Sequence, residues 1–304
     1  MTPSSHLIRG LIIVGISTLA LSEGSTQQPR LAVSPVIAAP GSVVRLTLVA
    51  SPVRGDSIVA IRGEMAGEPL HFLNGDGAEV WRAIGGVPVD AADSVEARVV
   101  IERSSGSSDT SLASVKIPRP PRRAGSPRRR PLSVAPRFTR PLDAETQARI
   151  DRENARARDV GRRAHSTQRQ WTDSFLRPRS SAVTSRFGTG RMFNGRVASR
   201  HLGVDFGGGV GAPVRAANRG VVALVDDFFL AGKVVYVDHG GGVVTGYFHL
   251  SRALVSPGDT VERSQEIGLV GASGRVTGPH LHWSARYGKL TVNPLDLVAL
   301  GAGW

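Results

Sequence analysis

Between Arg119 and Arg140 the chain carries arginines at positions 119, 122, 123, 128, 129, 130, 137 and 140, interleaved with prolines and without one acidic residue. Such a run repels itself and has too little apolar surface to bury a core, so it reads as a solvated linker, bounded here at 119–141. A 304-residue chain interrupted in this way has to fold as separate parts on either side, which agrees with about two domains at ~150 residues each. The linker itself serves either as a stiff soluble spacer or as an electrostatic tether to an anionic polymer or lipid headgroups.

The part before the linker, residues 30–118, alternates short β-prone runs with turn residues. Val43–Val49, Ser57–Ile61 and Val95–Ile101 are the runs, and Pro40-Gly41, Asn74-Gly75-Asp76-Gly77 and Ser105-Gly106 punctuate them. This pattern predicts a small antiparallel, Ig-like β-sandwich. No histidines or carboxylates converge there, as expected of an adapter or binding module.

The first 22 residues read as a signal peptide: His6 and Arg9 precede an apolar stretch from Leu11 to Leu21, and Ala20 and Ser22 stand at a cleavable small-residue spacing. The stretch is short for the ~20 residues of a membrane span. The expected location is therefore periplasmic or extracellular. A net charge of +13 favours polyanionic partners, but export makes intracellular nucleic acid an unexpected one. Without cysteine the chain has neither a disulfide framework nor a thiolate metal site, so any metal must be held by histidine and carboxylate.

Beyond the linker, residues 142–176 are poor in Gly and Pro and rich in Ala, Arg, Glu and Gln, which predicts a long helix capped by Asp143. Leu142, Ile150, Val160, Trp171 and Phe175 are too sparse for a coiled-coil seam, so the helix should pack along the neighbouring domain. From Arg177 to residue 300 the texture becomes glycine-rich loops and β-branched runs, and five of the eight histidines lie here: His201, His239, His249, His280 and His282.

Three spacings concentrate the chemistry. His201 and Asp205, four apart, share one face of an extended strand, because strand side chains repeat every two residues. His280 and His282 share a face likewise, with Leu281 directed into a core. Tyr247 and His249 are expected to do the same. A cysteine-free set of three ligands with an open position matches catalytic zinc. His201, Asp205, His249, His280 and His282 are the five candidates, and spacing alone does not say which three bind.

The run from Ser185 to Pro294 resembles the M23 metallopeptidases, the lysostaphin-like and LytM-like family. The resemblance lies in Ser185-Arg186-Phe187-Gly188, Arg191–Gly195, His201-x-x-x-Asp205-Phe206, Gly211-Ala212-Pro213-Val214, Val237-Asp238-His239-Gly240, Tyr247-x-His249-Leu250-Ser251, Gly271-x-Ser273-Gly274 with Thr277-Gly278-Pro279-His280-Leu281-His282, and Asn293-Pro294. It implies an antiparallel peptidase domain with His201, Asp205 and His282 as Zn2+ ligands and water as the fourth. His280 matches the general base and His249 the residue supporting the base or the oxyanion. Zinc lowers the pKa of water from 15.7 to ~7, within reach of an imidazole base. His239 falls outside this set and is expected to be structural, and Asn194-Gly195 reads as a plain turn. The segment Trp81–Asp90 resembles the β-domain that often precedes this peptidase.

The resemblance implies a metalloendopeptidase acting on peptide cross-links or stem peptides of peptidoglycan. The alternative is a non-catalytic or latent wall-binding protein that docks through the groove and the linker.

Overall fold

A computed structural model describes residues 28–51, 53–75, 79–118, 132–195 and 197–301. The signal-peptide reading at 1–22 and six of the eight linker arginines lie outside these residues.

The N-terminal strands are β1 (Arg30–Ser34), β2 (Val43–Val49), β3 (Ile58–Met65), β4 (Glu68–Leu70), β5 (Leu73–Asn74), β6 (Val80–Gly86), β7 (Ser94–Arg103) and β8 (Ser108–Lys116). They form two four-stranded antiparallel sheets, β1-β2-β6-β5 and β4-β3-β7-β8, as the alternation predicts. In β7 the inward positions Ala97, Val99 and Ile101 are buried while Glu96 and Arg98 face solvent, the two-residue period of a half-buried strand. They pack against Leu46, Leu48, Met65 and Val115 between the sheets.

The end of the arginine-rich stretch is not a free linker. Leu132 bridges Phe193, and Val134 and Phe138 are buried against it. Three apolar residues among the prolines are enough to dock this segment once Phe193 offers a partner, which arginine count alone does not reveal.

Helix α1 (Ala144–Arg163) begins where Asp143 accepts a hydrogen bond from Thr146 N at 2.7 Å. Ala157 and Val160 pack on Leu224, Phe228, Val234 and Tyr236 of the C-terminal sheet. The helix ends at Arg163 instead of continuing to residue 176. Beyond it the backbone serves a glycine turn: Gly242 N donates to Ala164 O, Gly241 N to Thr167 O, and Gln170 N to His239 O, each at 2.9 Å. The irregular path lets Trp171 and Phe175 enter the C-terminal core, which therefore draws on residues before Arg177.

That part comprises β9 (Val183–Ser185), β10 (Gly190–Phe193), β11 (Val197–Arg200), β12 (Val204–Gly207), β13 (Pro213–Arg215), β14 (Gly220–Phe228), β15 (Gly232–Gly240), β16 (Val243–Ala253), β17 (Thr260–Val261), β18 (Glu266–Val270), β19 (His280–Tyr287), β20 (Leu290–Val292) and the short helix α2 (Pro294–Ala299). The main antiparallel sheet runs β17-β14-β15-β16-β19-β12-β9, with β18 joining β13 to β16, β20 flanking β19, and β10-β11 as a separate hairpin. The sandwich is fastened to it by Asn293 N to Gly41 O (2.7 Å), Val43 N to Asp296 Oδ2 (3.0 Å) and Tyr287 Oη to Pro69 O (2.6 Å).

Candidate metal centre

The antiparallel register of β12 and β19 sets Asp205 opposite His282 and Gly207 opposite His280. Cross-strand partners share a face, so the carboxylate and both imidazoles emerge on one side of the sheet while Leu281 is buried on the other. His201 joins them differently from the expectation of one extended strand. It lies before β12, and the chain returns through Gly203, which passes close under His282.

The result is a tight triangle. His201 Nε2, Asp205 Oδ1 and His282 Nδ1 are each 2.9 Å from the other two. Among the described residues this is the one cluster of three or more potential ligands. Protonation follows from the partners. His201 Nδ1 lies 3.0 Å from Arg186 O, which only accepts, so Nδ1 carries the proton and a neutral ring presents a lone pair at Nε2. That lone pair faces a carboxylate oxygen that is itself an acceptor, an arrangement that a divalent cation resolves. Two nitrogens and one oxygen suit such an ion, and tetrahedral bonds of ~2.0–2.1 Å need donors only a few tenths of an ångström farther apart. The residues fit a metal.

Burial by itself would raise the Asp205 pKa, but the adjoining His201 and His282 rings outweigh it and hold the carboxyl far below the usual range. Its second oxygen, Oδ2, is engaged by Arg191, whose guanidinium also donates to Ser185 Oγ at 3.2 Å. Burial depresses His282 to about 4, so the ring is neutral and able to ligate. Arg191 reaches the site from the β10-β11 hairpin, and the spacing of the sequence carries no sign that it touches a ligand.

His280 stands beside the triangle. Its Nδ1 lies 2.8 Å from Gly278 O and so donates, leaving Nε2 as a buried acceptor with no hydrogen-bond partner among the described residues, 3.8 Å from Asp205 Oδ1. His249 lies next to it, with ring centroids 4.9 Å apart. Its Nδ1 donates to Ser273 O at 2.8 Å, and burial, reinforced by the charges of His282 and His280, holds its pKa well below 6.5.

The path by which His249 arrives corrects the expected alternation. Tyr247 pairs with Trp283 on the core face, and its hydroxyl accepts from Ala217 N at 2.8 Å. Phe248 occupies the site face and stacks on His282 at 5.2 Å. Regular pleating would then send His249 to the core. Instead the β15-β16 register slips here and His249 takes φ +63°, which turns its ring back toward the site. Tyr247 and His249 therefore do not share a face.

His239 is fully buried outside the cluster, bonded to Arg219 O (2.7 Å) and Thr245 Oγ1 (2.8 Å). Asn194 and Gly195 both have positive φ at the β10-β11 turn, and the Asn194 side chain also holds Val134 N and O at 3.0 and 2.9 Å.

Residues 199–294 match Peptidase family M23. Over 88 residues, 29% of this chain and 20% of the relative, the sequence is 48% identical to the peptidoglycan DD-endopeptidase ShyA of Vibrio cholerae serotype O1. Over 114 residues, 37% of this chain and 26% of the relative, it is 39% identical to ShyC of the same organism, also a peptidoglycan DD-endopeptidase. The chain thus spans about a quarter or less of these relatives' length. A solved chain from Pseudomonas aeruginosa, described as a candidate M23 peptidase, superposes with a TM-score of 0.62 at 26% identity, covering 86% of this chain and 94% of that one. That likeness takes in both the sandwich and the sheet.

Proposed function

From the M23 peptidase domain that the chain carries at residues 199–294, we propose an exported zinc-dependent endopeptidase that hydrolyses peptide cross-links or stem peptides of bacterial peptidoglycan. The observation that carries this reading is the 2.9 Å triangle of His201, Asp205 and His282 with the unpartnered Nε2 of His280 beside it. The DD-endopeptidase relatives support the substrate class. Export rests on residues 1–22, and a wall or lipid tether on the arginines of 119–130.

In this mechanism His201 Nε2, Asp205 Oδ1 and His282 Nδ1 would hold the ion. Arg191 keeps Asp205 oriented with Oδ1 inward, and Arg186 O fixes the His201 tautomer. Bound zinc would supply Lewis acidity, polarising the scissile carbonyl and acidifying water. His280 takes the proton of the attacking water at Nε2 while its Nδ1–H, held by Gly278 O, steadies the resulting imidazolium. The same nitrogen then returns the proton to the leaving amine. With Nδ1 committed to Ser273 O, neutral His249 is an acceptor at Nε2 and orients the attacking water.

Two variants test this, with metal content and digestion of purified sacculi read by mass spectrometry. His282→Ala should lose metal and activity together. His280→Ala should keep metal and lose turnover by roughly 10²–10⁴-fold, the usual contribution of a general base. Parental turnover in His280→Ala would remove it as the base, and no new muropeptides from the metal-loaded parent would refute the endopeptidase reading.

A further inference from the structure

Arg275 borders the metal centre from both sides. It lines the cleft that holds His201, His249 and His282, and also the one that holds Asp205 and His280. Its position is fixed from behind. Arg275 N donates to Leu230 O at 2.8 Å, and the guanidinium lies 4.3 Å over the Phe193 ring, which is itself seated on Val134 and Phe138.

The guanidinium has no carboxylate partner and no hydrogen-bond acceptor among the described residues. Burial and the nearby charge of Arg191 both work against it, drawing its pKa below the usual arginine value. Asp205 is the single carboxylate among the described residues lining the cleft, and its Oδ2 already belongs to Arg191. A cation partly removed from water and left without a counter-charge is costly in the free protein, and an anionic ligand in the cleft relieves that cost. The neutral ring beneath it supplies a cation–π contact but no compensating charge.

We propose that Arg275 is a specificity-determining residue that grips a free carboxylate of the peptide substrate close to the scissile bond, so that the cleft selects acidic peptides over their amidated or neutral counterparts. This rests on the endopeptidase reading and adds the chemical class of peptide. Arg191 takes no direct part, because its charge is spent on a ligand, but it raises the local positive potential that draws the carboxylate in.

The test uses the metal-loaded full chain and two synthetic cross-linked peptides that differ only in one carboxylate beside the scissile bond, present in the first and a carboxamide in the second. The parent should favour the acid by about tenfold to a hundredfold in kcat/KM, the worth of one charge-assisted hydrogen bond. Arg275→Gln should abolish the preference, the acid losing far more kcat/KM than the amide, and Arg275→Lys should recover part of it. Binding of both peptides to the metal-stripped chain supplies a readout independent of turnover. If the parent cleaves neither peptide yet binds the acid more tightly through Arg275, the anion site stands and the endopeptidase reading falls. Equal cleavage of both peptides by the parent overturns the inference alone. So does an Arg275→Gln variant that slows both peptides equally with a lowered melting temperature, which marks a purely structural residue.

Discussion

Gly203→Ala is expected to break the metal centre without touching a ligand. A Cβ at this position would lie 2.5 Å from His282 Nε2, 2.6 Å from its Cε1 and 2.6 Å from Trp283 O. Ordinary carbon contacts begin at 3.4 Å, so the imidazole would have to retreat by about 0.9 Å, the difference between 3.4 and 2.5 Å. Metal–ligand distances tolerate only ~0.2 Å. The ring has no free room to give, because Phe248 stacks on its plane and Asp205 and His201 bound its Nδ1 edge. The carbonyl contact adds a clash with the backbone of Trp283, the sheet partner of the neighbouring Val204. Overpacking of this kind costs about 1–3 kcal/mol, or roughly 2–12 °C in melting temperature at ~2–4 °C per kcal/mol. Gly203 is not among the glycines with positive φ, so alanine suffers no backbone penalty and the effect isolates the contact. Zinc titration against a competing chelator should show affinity down by roughly 10–10²-fold, alongside the lower melting temperature of the metal-free chain. Parental affinity and melting temperature in Gly203→Ala would refute the argument that close approach, and not the ligands alone, shapes the site.

His239 should make stability pH-dependent. Burial holds it near 4 in the folded chain against 6.5 unfolded, so the unfolded state binds the extra proton between those values. Its contribution is complete above pH 6.5 and is lost as pH falls toward 4, by about 3 kcal/mol at ~1.36 kcal/mol per unit. Urea unfolding from pH 7 to 4 should be visibly flatter for His239→Gln than for the parent, and parallel curves would exclude His239 as the source. Glu68, 2% exposed on the sandwich, faces His165 Nε2 at 2.9 Å and accepts from Lys289 N at 3.2 Å. Glu68→Ala orphans both partners and should cost ~1–3 kcal/mol in thermal stability with turnover unchanged. Lower turnover at an unchanged melting temperature would place Glu68 in the catalytic machinery instead.

What the sequence made legible follows how regular the backbone is at each point. His280 and His282 were readable because β19 is an unbroken strand and a two-residue period is all the argument needs. His201 and Asp205 meet as expected, but through a return at Gly203 and not through strand pleating, so the pairing was right and its reason was not. At His249 the same rule failed, because a slip in register leaves no mark in a string of β-prone residues. Helix α1 was visible in composition, yet its end was not: His239, Gly241 and Gly242, more than 70 positions beyond its last residue, take up the backbone groups that would have continued it. Val134 and Phe138 were hidden among arginines for a similar reason, since a docked segment is defined by its receptor.

Ligands for a metal would not by themselves make the proposed hydrolase, and one loop supplies most of the difference here. Between Gly271 and Pro279 the chain provides Ser273 O to fix the His249 tautomer, Gly278 O to fix that of His280, and Arg275 at the edge of the cleft. Ser273 also ties the loop down, its hydroxyl bonding Leu250 O and accepting from Lys233 N, both at 2.9 Å. Those two residues flank the register slip that turns His249 toward the site, so the loop and the irregular backbone hold each other in place. A left-handed histidine costs about 1–3 kcal/mol and persists only where its surroundings over-determine it. The strain is thus located where two non-ligand imidazoles must each present a bare Nε2 to the cleft. Spacing along the chain cannot encode that requirement, because the carbonyls that meet it lie on a different segment from one of the rings they orient.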